Sequence, residues 1–180
     1  VVLKPNNRYR LHFEASNGSV SAFDYDIVVF ALPFTLLREV AFIFALPQWK
    51  DNAIQNLGYG TNAKVMGGFN SRFWQTFNKA GQVFTDEAFQ LGWDNSELQG
   101  GTAGGYTFYS GGAAGVAVGN GGPASQFNSL LVGLEKIFPG ISAQHNGNVA
   151  RSHWPSFKYT KGTYACYKTG QFTTITRYER

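Results

Sequence analysis

Lys64 is the residue whose setting first invites a chemical reading. It interrupts an apolar run, Ala63-Lys64-Val65-Met66-Gly67-Gly68-Phe69. A lysine in such a run either points outward to water or is buried with a partner that stabilises its charge. The second candidate is the stretch from Trp154 to Gln171, where Trp154, Phe157, Tyr159, Tyr164 and Tyr167 crowd together with neither strand nor helix period. A solvated loop has no use for so many large rings. They either plug a core or line a pocket.

Other chemistries find less support. Gly119-Asn120-Gly121-Gly122-Pro123-Ala124 fits G-x-G-x-x-A after an apolar Val116-Ala117-Val118. That pattern can seat a pyrophosphate on a helix N-terminus. Here the preceding run is short and flanked by glycine, and residues 139–145 lack the acidic residue that a ribose hydroxyl would need. The segment reads as an ordinary strand-to-helix turn. His12, His145 and His153 share no helical face, and neither H-E-x-x-H nor G-x-S-x-G occurs. Neither a metal site nor a hydrolase triad is expected. Cys166 is the only cysteine, which excludes an internal disulfide and a cysteine-rich zinc site. Asn17-Gly18-Ser19 is formally a glycosylation sequon, but Asn-Gly is also the strongest short hairpin signal, and the turn explains it better.

The elements that must hold these residues follow from periodicity. Residues 8–14 alternate polar and bulky side chains and predict a strand, with residues 19–23 returning after the Asn17-Gly18 turn. Residues 26–32 are continuously apolar, the mark of a strand covered on both faces. Pro33 stops that run, and Thr35 is placed to cap a short helix over 36–40. Residues 47–56 predict a helix, with Pro47 near its start and Gly58 just past its end. Strands are expected at 63–69, 83–84, 106–109, 116–118 and 149–154. Residues 123–138 predict a helix with proline near its first turn and Pro139-Gly140 as its stop.

The chain has 180 residues, of which 43% are hydrophobic, so a sizeable core is available and wholesale disorder is excluded. Charged residues are only 14% and aromatics 16%, which points to large buried surfaces or to surfaces that expect a partner. The net charge is +4, but the basic residues are scattered, so no nucleic-acid footprint is expected. No apolar run approaches the ~18 residues of a membrane span, so no membrane partner is expected. No signal peptide is read, and with a single cysteine this is compatible with the cytoplasm. Val1-Val2-Leu3 reads as mid-strand and the other end carries no stop signature, so a piece of a longer polypeptide is expected.

In order along the chain, these residues resemble the flavin-containing amine oxidases, the group of monoamine, L-amino-acid and polyamine oxidases. Asp24-Tyr25-Asp26 through Leu32-Pro33 resembles the family's strand ending in proline, and Val40-Ala41-Phe42 the element after it. Leu46-Pro47, Lys50, Ala53-Ile54, Leu57 and Tyr59-Gly60 resemble the next helix and turn. Thr61-Asn62-Ala63-Lys64-Val65 is similar to the strand carrying the family's lysine, and Ser71-Arg72-Phe73-Trp74 to the Phe-Trp that follows. Gly92-Trp93-Asp94 is similar to a Trp-Asp segment of bacterial members. Trp154, Tyr159, Gly162, Tyr164 and Gly170-Gln171 fall on a family signature without gaps.

The resemblance implies an α+β fold, a mixed β-sheet flanked by helices, forming the substrate-binding portion of such an oxidase. It lacks the Rossmann-type FAD-binding part, whose glycine fingerprint and C-terminal flavin segment are missing here. It further implies strands bordering the absent FAD domain over 1–45, a substrate-binding domain over 46–153, and an aromatic segment returning toward the flavin over 154–180. Lys64 would be the catalytic residue, holding a water near the flavin. Tyr164, Tyr159 and Trp93 would meet substrate, and Trp154, Gly162 and Thr163 the cofactor. Thr163 stands where covalent members carry a flavin-bonded cysteine, so FAD should be non-covalent in the parent protein and is not expected on this fragment alone. Arg72 and Arg151 are candidates for a carboxylate clamp. The implied partners are a small amine or amino acid and the FAD-binding domain of the same chain. The implied reaction is oxidation of the amine to an imine and then a carbonyl compound, with ammonia and hydrogen peroxide released; the isolated chain should be inactive. The alternatives are a non-catalytic binding domain on the same scaffold, or a related flavin desaturase, isomerase or monooxygenase.

Overall fold

The structure is a computed structural model describing residues 1–178; Glu179 and Arg180, the end of the 154–180 segment, lie outside the described residues. The chain divides into two compact units, Val1–Tyr59 with the residues from Ala165 onward, and Gly60–Tyr164.

In the first unit, the alternating residues form β2 (Tyr9–Glu14), flanked by β1 (Val2–Leu3) and β3 (Val20–Tyr25) in a three-stranded antiparallel sheet of order β1-β2-β3. The turn between β2 and β3 places Gly18 at φ +79°, the left-handed conformation that the Asn-Gly signal anticipates. On β3, the Asp24 carboxylate lies 2.7 Å from both Arg10 Nε and Lys4 Nζ. Hydrogen bonds from Arg10, and then from Lys4, hold that carboxyl well below the usual carboxylate range. Two helices follow, α1 (Phe34–Leu37) and α2 (Gln48–Asn56), and bury Phe34, Leu37, Ala53, Ile54 and Leu57 together with Ile175. Arg38 donates to the carbonyls of Ile54 (2.7 Å) and Leu57 (2.6 Å), satisfying oxygens left open where α2 ends.

Two expectations fail in this unit. Residues 26–32 form no strand among the described residues; Ile27 and Val29 are 80% and 85% exposed, while Phe30 packs against the local core. An apolar run becomes a strand only where a neighbouring strand supplies hydrogen bonds, and none is paired with it here. Thr35 is not a cap. Pro33 holds the cap position of α1, and Thr35 is buried inside the helix, which begins earlier than the expected 36–40.

The second unit is a five-stranded sheet of order β5-β6-β7-β4-β8, built from β4 (Ala63–Phe69), β5 (Val83–Phe84), β6 (Leu91–Asp94), β7 (Gly104–Ser110) and β8 (His145–His153). Every pairing is antiparallel, so the expected mixed sheet is corrected to an antiparallel one in both units. The Gly92-Trp93-Asp94 motif lies on β6. The last strand starts at His145, ahead of the expected 149. Residues 116–118 are not a strand: they close α3 (Gly112–Ala117), because three apolar residues cannot distinguish a period of 2 from 3.6.

The helix α4 (Pro123–Ile137), with Pro123 at its start as expected, buries Phe127, Leu130, Leu131 and Leu134 against one face of the sheet. On β4, Ala63, Val65, Gly67 and Phe69 face this core, as the strict alternation of burial shows. A Cβ on Gly67 would lie 2.0 Å from the ring of Phe127, so the close approach of helix and strand requires glycine there. Trp74 is fully buried, stacked edge-on against Phe69 and donating its indole N–H to Asp94 Oδ2 at 3.0 Å. Burial first, and then the Asp94 charge, raises the Tyr106 phenol above its ordinary range.

Candidate functional site

Since one face of the second unit's sheet is filled by α4, the alternate residues point to the other face. Lys64 is one of them. In register it lies opposite Tyr109 on β7 and Ser152 on β8. One strand further out, Trp93 on β6 is paired with Thr107 of β7. This places an ammonium, a phenol and an indole on the same side of one sheet. The fold thus resolves the alternatives for Lys64 in favour of a half-buried, partnered position. Its Nζ lies 5.3 Å from the ring centre of Trp93 and 5.7 Å from that of Trp154. Each geometry is a cation–π contact, worth roughly 0.5–2 kcal/mol depending on desolvation.

Trp154 comes from the short turn that follows β8, where the strand ends and Pro155 enters a 3₁₀ turn. Thr160 Oγ1 donates to the Trp154 carbonyl at 3.0 Å and ties the aromatic segment back on itself. The chain then runs beside the start of β4: the Thr163 N–H donates to the Gly60 carbonyl (2.9 Å) and the Gly60 N–H to the Tyr164 carbonyl (3.0 Å). Gly60 is needed for this approach, since a Cβ there would lie 2.4 Å from Thr163 Oγ1.

These segments line an open cavity of about 460 Å³ formed by Asn62, Lys64, Tyr109, Trp154, Thr160, Gly162, Thr163 and Tyr164. Five residues expected from the sequence therefore meet at one place: Lys64, Trp154, Gly162, Thr163 and Tyr164. Trp93 joins them through its contact with Lys64 and a tilted ring contact with Tyr109 at 6.4 Å. Tyr159 does not line the cavity; it is 61% exposed and packs on Phe157 and the Lys158 ammonium. Gly162 is buried, and Thr163 Oγ1 is buried without a hydrogen-bond partner. An orphaned hydroxyl at a cavity wall is the kind of atom a bound polar group completes.

Tyr109, Asn62 and Thr160 were not singled out from sequence. Tyr109 could have been found, because the alternation in 104–110 puts it on the face away from Tyr106 and Phe108. Burial first, and then the neighbouring Tyr164, raises the Tyr109 phenol above its ordinary range. Neither candidate arginine faces this cavity. Arg72 donates to Ser96 Oγ (3.2 Å) and the Gln99 carbonyl (2.6 Å), and Arg151 to the carbonyls of Val118 and Gly121 (both 2.9 Å). Among the described residues no group of three or more histidine, cysteine or acidic side chains could hold a metal, and no helix is long and apolar enough to cross a membrane.

Comparison with known proteins supplies the frame for this geometry. Putrescine oxidase, solved with putrescine bound, superposes with a TM-score of 0.72 at 20% identity, over 84% of this chain and 34% of that one. Cyclohexylamine oxidase from Brevibacterium oxydans IH-35A superposes with a TM-score of 0.76 at 18% identity, over 88% and 35%. The chain thus spans about a third of the length of these solved chains, and at such identities the likeness speaks for the fold. No curated protein matches the chain by sequence. The family described as flavin containing amine oxidoreductase, in contrast, matches residues 2–180. That match covers all but the first residue, and by it the chain belongs to the flavin-containing amine oxidoreductases.

Proposed function

We propose that this chain is the substrate-binding region of an FAD-dependent amine oxidase that converts an amine to the corresponding carbonyl compound. The observation that carries this reading is the position of Lys64, its ammonium held by two indole faces at the wall of an aromatic cavity. The family uses flavin, and the residues present fit it. Thr163 offers a buried hydroxyl with no partner, Gly162 offers backbone without a side chain, and Trp154 offers a flat ring on the same wall. These three residues would hold the isoalloxazine side of a non-covalent FAD. When bound, flavin accepts the two electrons that leave the amine.

The remaining work falls to the side chains of this chain. Lys64 carries up to three N–H donors and orients a water or an oxygen species at the cavity wall, where its positive charge favours negative charge developing nearby. Tyr164 presents a ring face along which a substrate amine can align. Trp93 and Trp154 keep the ammonium of Lys64 from swinging into solvent. The cavity wall supplies no arginine, and Arg72 and Arg151 are engaged elsewhere. Putrescine and cyclohexylamine, named for the two solved structures, are the first substrates to try.

The test is an anaerobic titration of the longer polypeptide that contains this chain. A flavin absorption band that bleaches on addition of a primary amine is the expected result. A protein that stays colourless and takes up no added FAD would overturn the reading and favour a binding domain on the same scaffold.

A further inference from the structure

The fold makes no use of the Asn62 side chain. The residue is only 9% exposed, and its amide meets no hydrogen-bond partner among the described residues. It lines the same cavity as Lys64, two residues before it on the chain. A buried amide without a partner is costly, so its place at a cavity wall points to a group that enters and completes it.

The backbone before Asn62 is fixed by two contacts. The Gly60 N–H donates to the Tyr164 carbonyl at 3.0 Å, and Thr61 Oγ1 donates to the Gly112 carbonyl at 2.7 Å. One step beyond the Ala63–Ser110 pair, Gly111 lies across from Asn62 with no side chain to fill the space. A Cβ there would stand 2.9 Å from Asn62 Oδ1, so glycine leaves the amide its place. Lys64 is the one charged residue that lines the cavity. Its ammonium donates hydrogen bonds and accepts none, so it cannot receive the N–H of an amine. The hydroxyls of the wall donate as readily as they accept, whereas an amide oxygen only accepts.

We infer that Asn62 determines the substrate class of this site: its amide oxygen accepts an N–H of the amine in its uncharged form, so the cavity selects amines that carry at least one N–H. This rests on the amine-oxidase reading above and extends it. The uncharged form is the one that fits beside Lys64, because a second positive charge there is disfavoured by the first. Held through its N–H, the amine nitrogen keeps its lone pair free, and oxidation to an imine draws on that pair.

The experiment uses the longer polypeptide loaded with FAD, as wild type, Asn62→Leu and Gly111→Ala. Leucine keeps the branched shape of asparagine without its polar atoms. Alanine at 111 retains Asn62 but crowds its oxygen, and it carries the test if Asn62→Leu does not fold. Retained flavin absorbance and an unchanged melting temperature verify folding. With the flavin chemically reduced and oxygen excluded, an amine binds without being oxidised, and calorimetry gives its affinity free of turnover. The probes are cyclohexylamine and N,N-dimethylcyclohexylamine, the second of which has no N–H when uncharged. If putrescine is the amine that bleaches the oxidised flavin, putrescine and its N,N,N′,N′-tetramethyl derivative replace them. Wild type should prefer the amine with N–H groups. Each variant should lower that preference by about tenfold, the scale of one hydrogen bond, with little change in affinity for the methylated probe. A wild type that binds both probes alike, a preference that survives in the folded variants, or a loss shared equally by both probes would remove the role of Asn62 alone. A wild type whose flavin is bleached by no amine would remove the functional reading, and this role with it.

Discussion

At Lys64, two indoles take the place of the acidic partner that usually accompanies a half-buried ammonium. Such contacts orient a charge without neutralising it, so the lysine keeps its full donor set for whatever occupies the cavity. Lys64→Met preserves length and apolar bulk but removes charge and donors. Under the proposed function, in the longer polypeptide loaded with FAD, it should slow reoxidation of reduced flavin by oxygen by ~10²-fold or more, on the scale of losing one preorganised electrostatic group, while flavin remains bound. Stopped-flow absorbance after anaerobic reduction reads this directly, and an unchanged reoxidation rate would exclude the role. In the sequence alone, Lys64 was visible as an anomaly but its direction was not. The pattern around it is two-faced, and both faces of a strand look alike until the helix that covers one of them is known. Tyr109 lies 45 residues away along the chain and meets Lys64 only through strand pairing, which local pattern does not encode. Tyr159 shows the converse. It belongs to the same signature as Tyr164, but a ring five positions earlier turns onto Phe157 and Lys158.

Among the elements, β4 is both the floor of the site and the seat of the core, and Gly67 joins the two roles. Gly67→Ala forces a methyl group into the ring of Phe127, which is fully buried and has nowhere to retreat. Overpacking of this kind costs about 1–3 kcal/mol, so the urea midpoint should fall with little change in slope. The β1-β2-β3 sheet makes a different prediction. Asp24 is held below its ordinary range by Arg10 and Lys4, and its folded-state pKa is therefore lower than its unfolded one. Its stabilising contribution is present above roughly pH 4 and fades as the pH falls below that toward the folded value. Asp24→Asn should be less stable than wild type at neutral pH, with the gap narrowing in acid; a gap independent of pH in chemical denaturation would argue against the ion-pair account. Elements with a clear period, such as β2, α2, β4 and α4, were legible with ends misplaced by a residue or two. Residues 26–32 and 116–118 were not, because a short apolar run reports hydrophobicity and leaves its pairing partner unstated.

Over the whole molecule, the second unit is an insertion in the first. The chain leaves at Tyr59 and returns at Ala165, and these two residues form an isolated bridge with each other. Inserted units whose ends lie side by side commonly fold on their own, and residues 60–164 have a continuous core running from Ala63 to Ile141. Expressed alone, this segment should unfold cooperatively and show dispersed amide resonances; a collapsed, non-cooperative product would show that its core depends on the rest of the chain. The order of its strands has a consequence for time rather than for space. Strand β4 is bonded on both sides, to β7 and β8, while β5 is a two-residue edge. Amide exchange should therefore be slowest around Val65 and fast at Val83 and Phe84, because edges open locally and central strands open only with the whole unit. The lysine of the cavity is thus mounted on the part of the sheet that opens last.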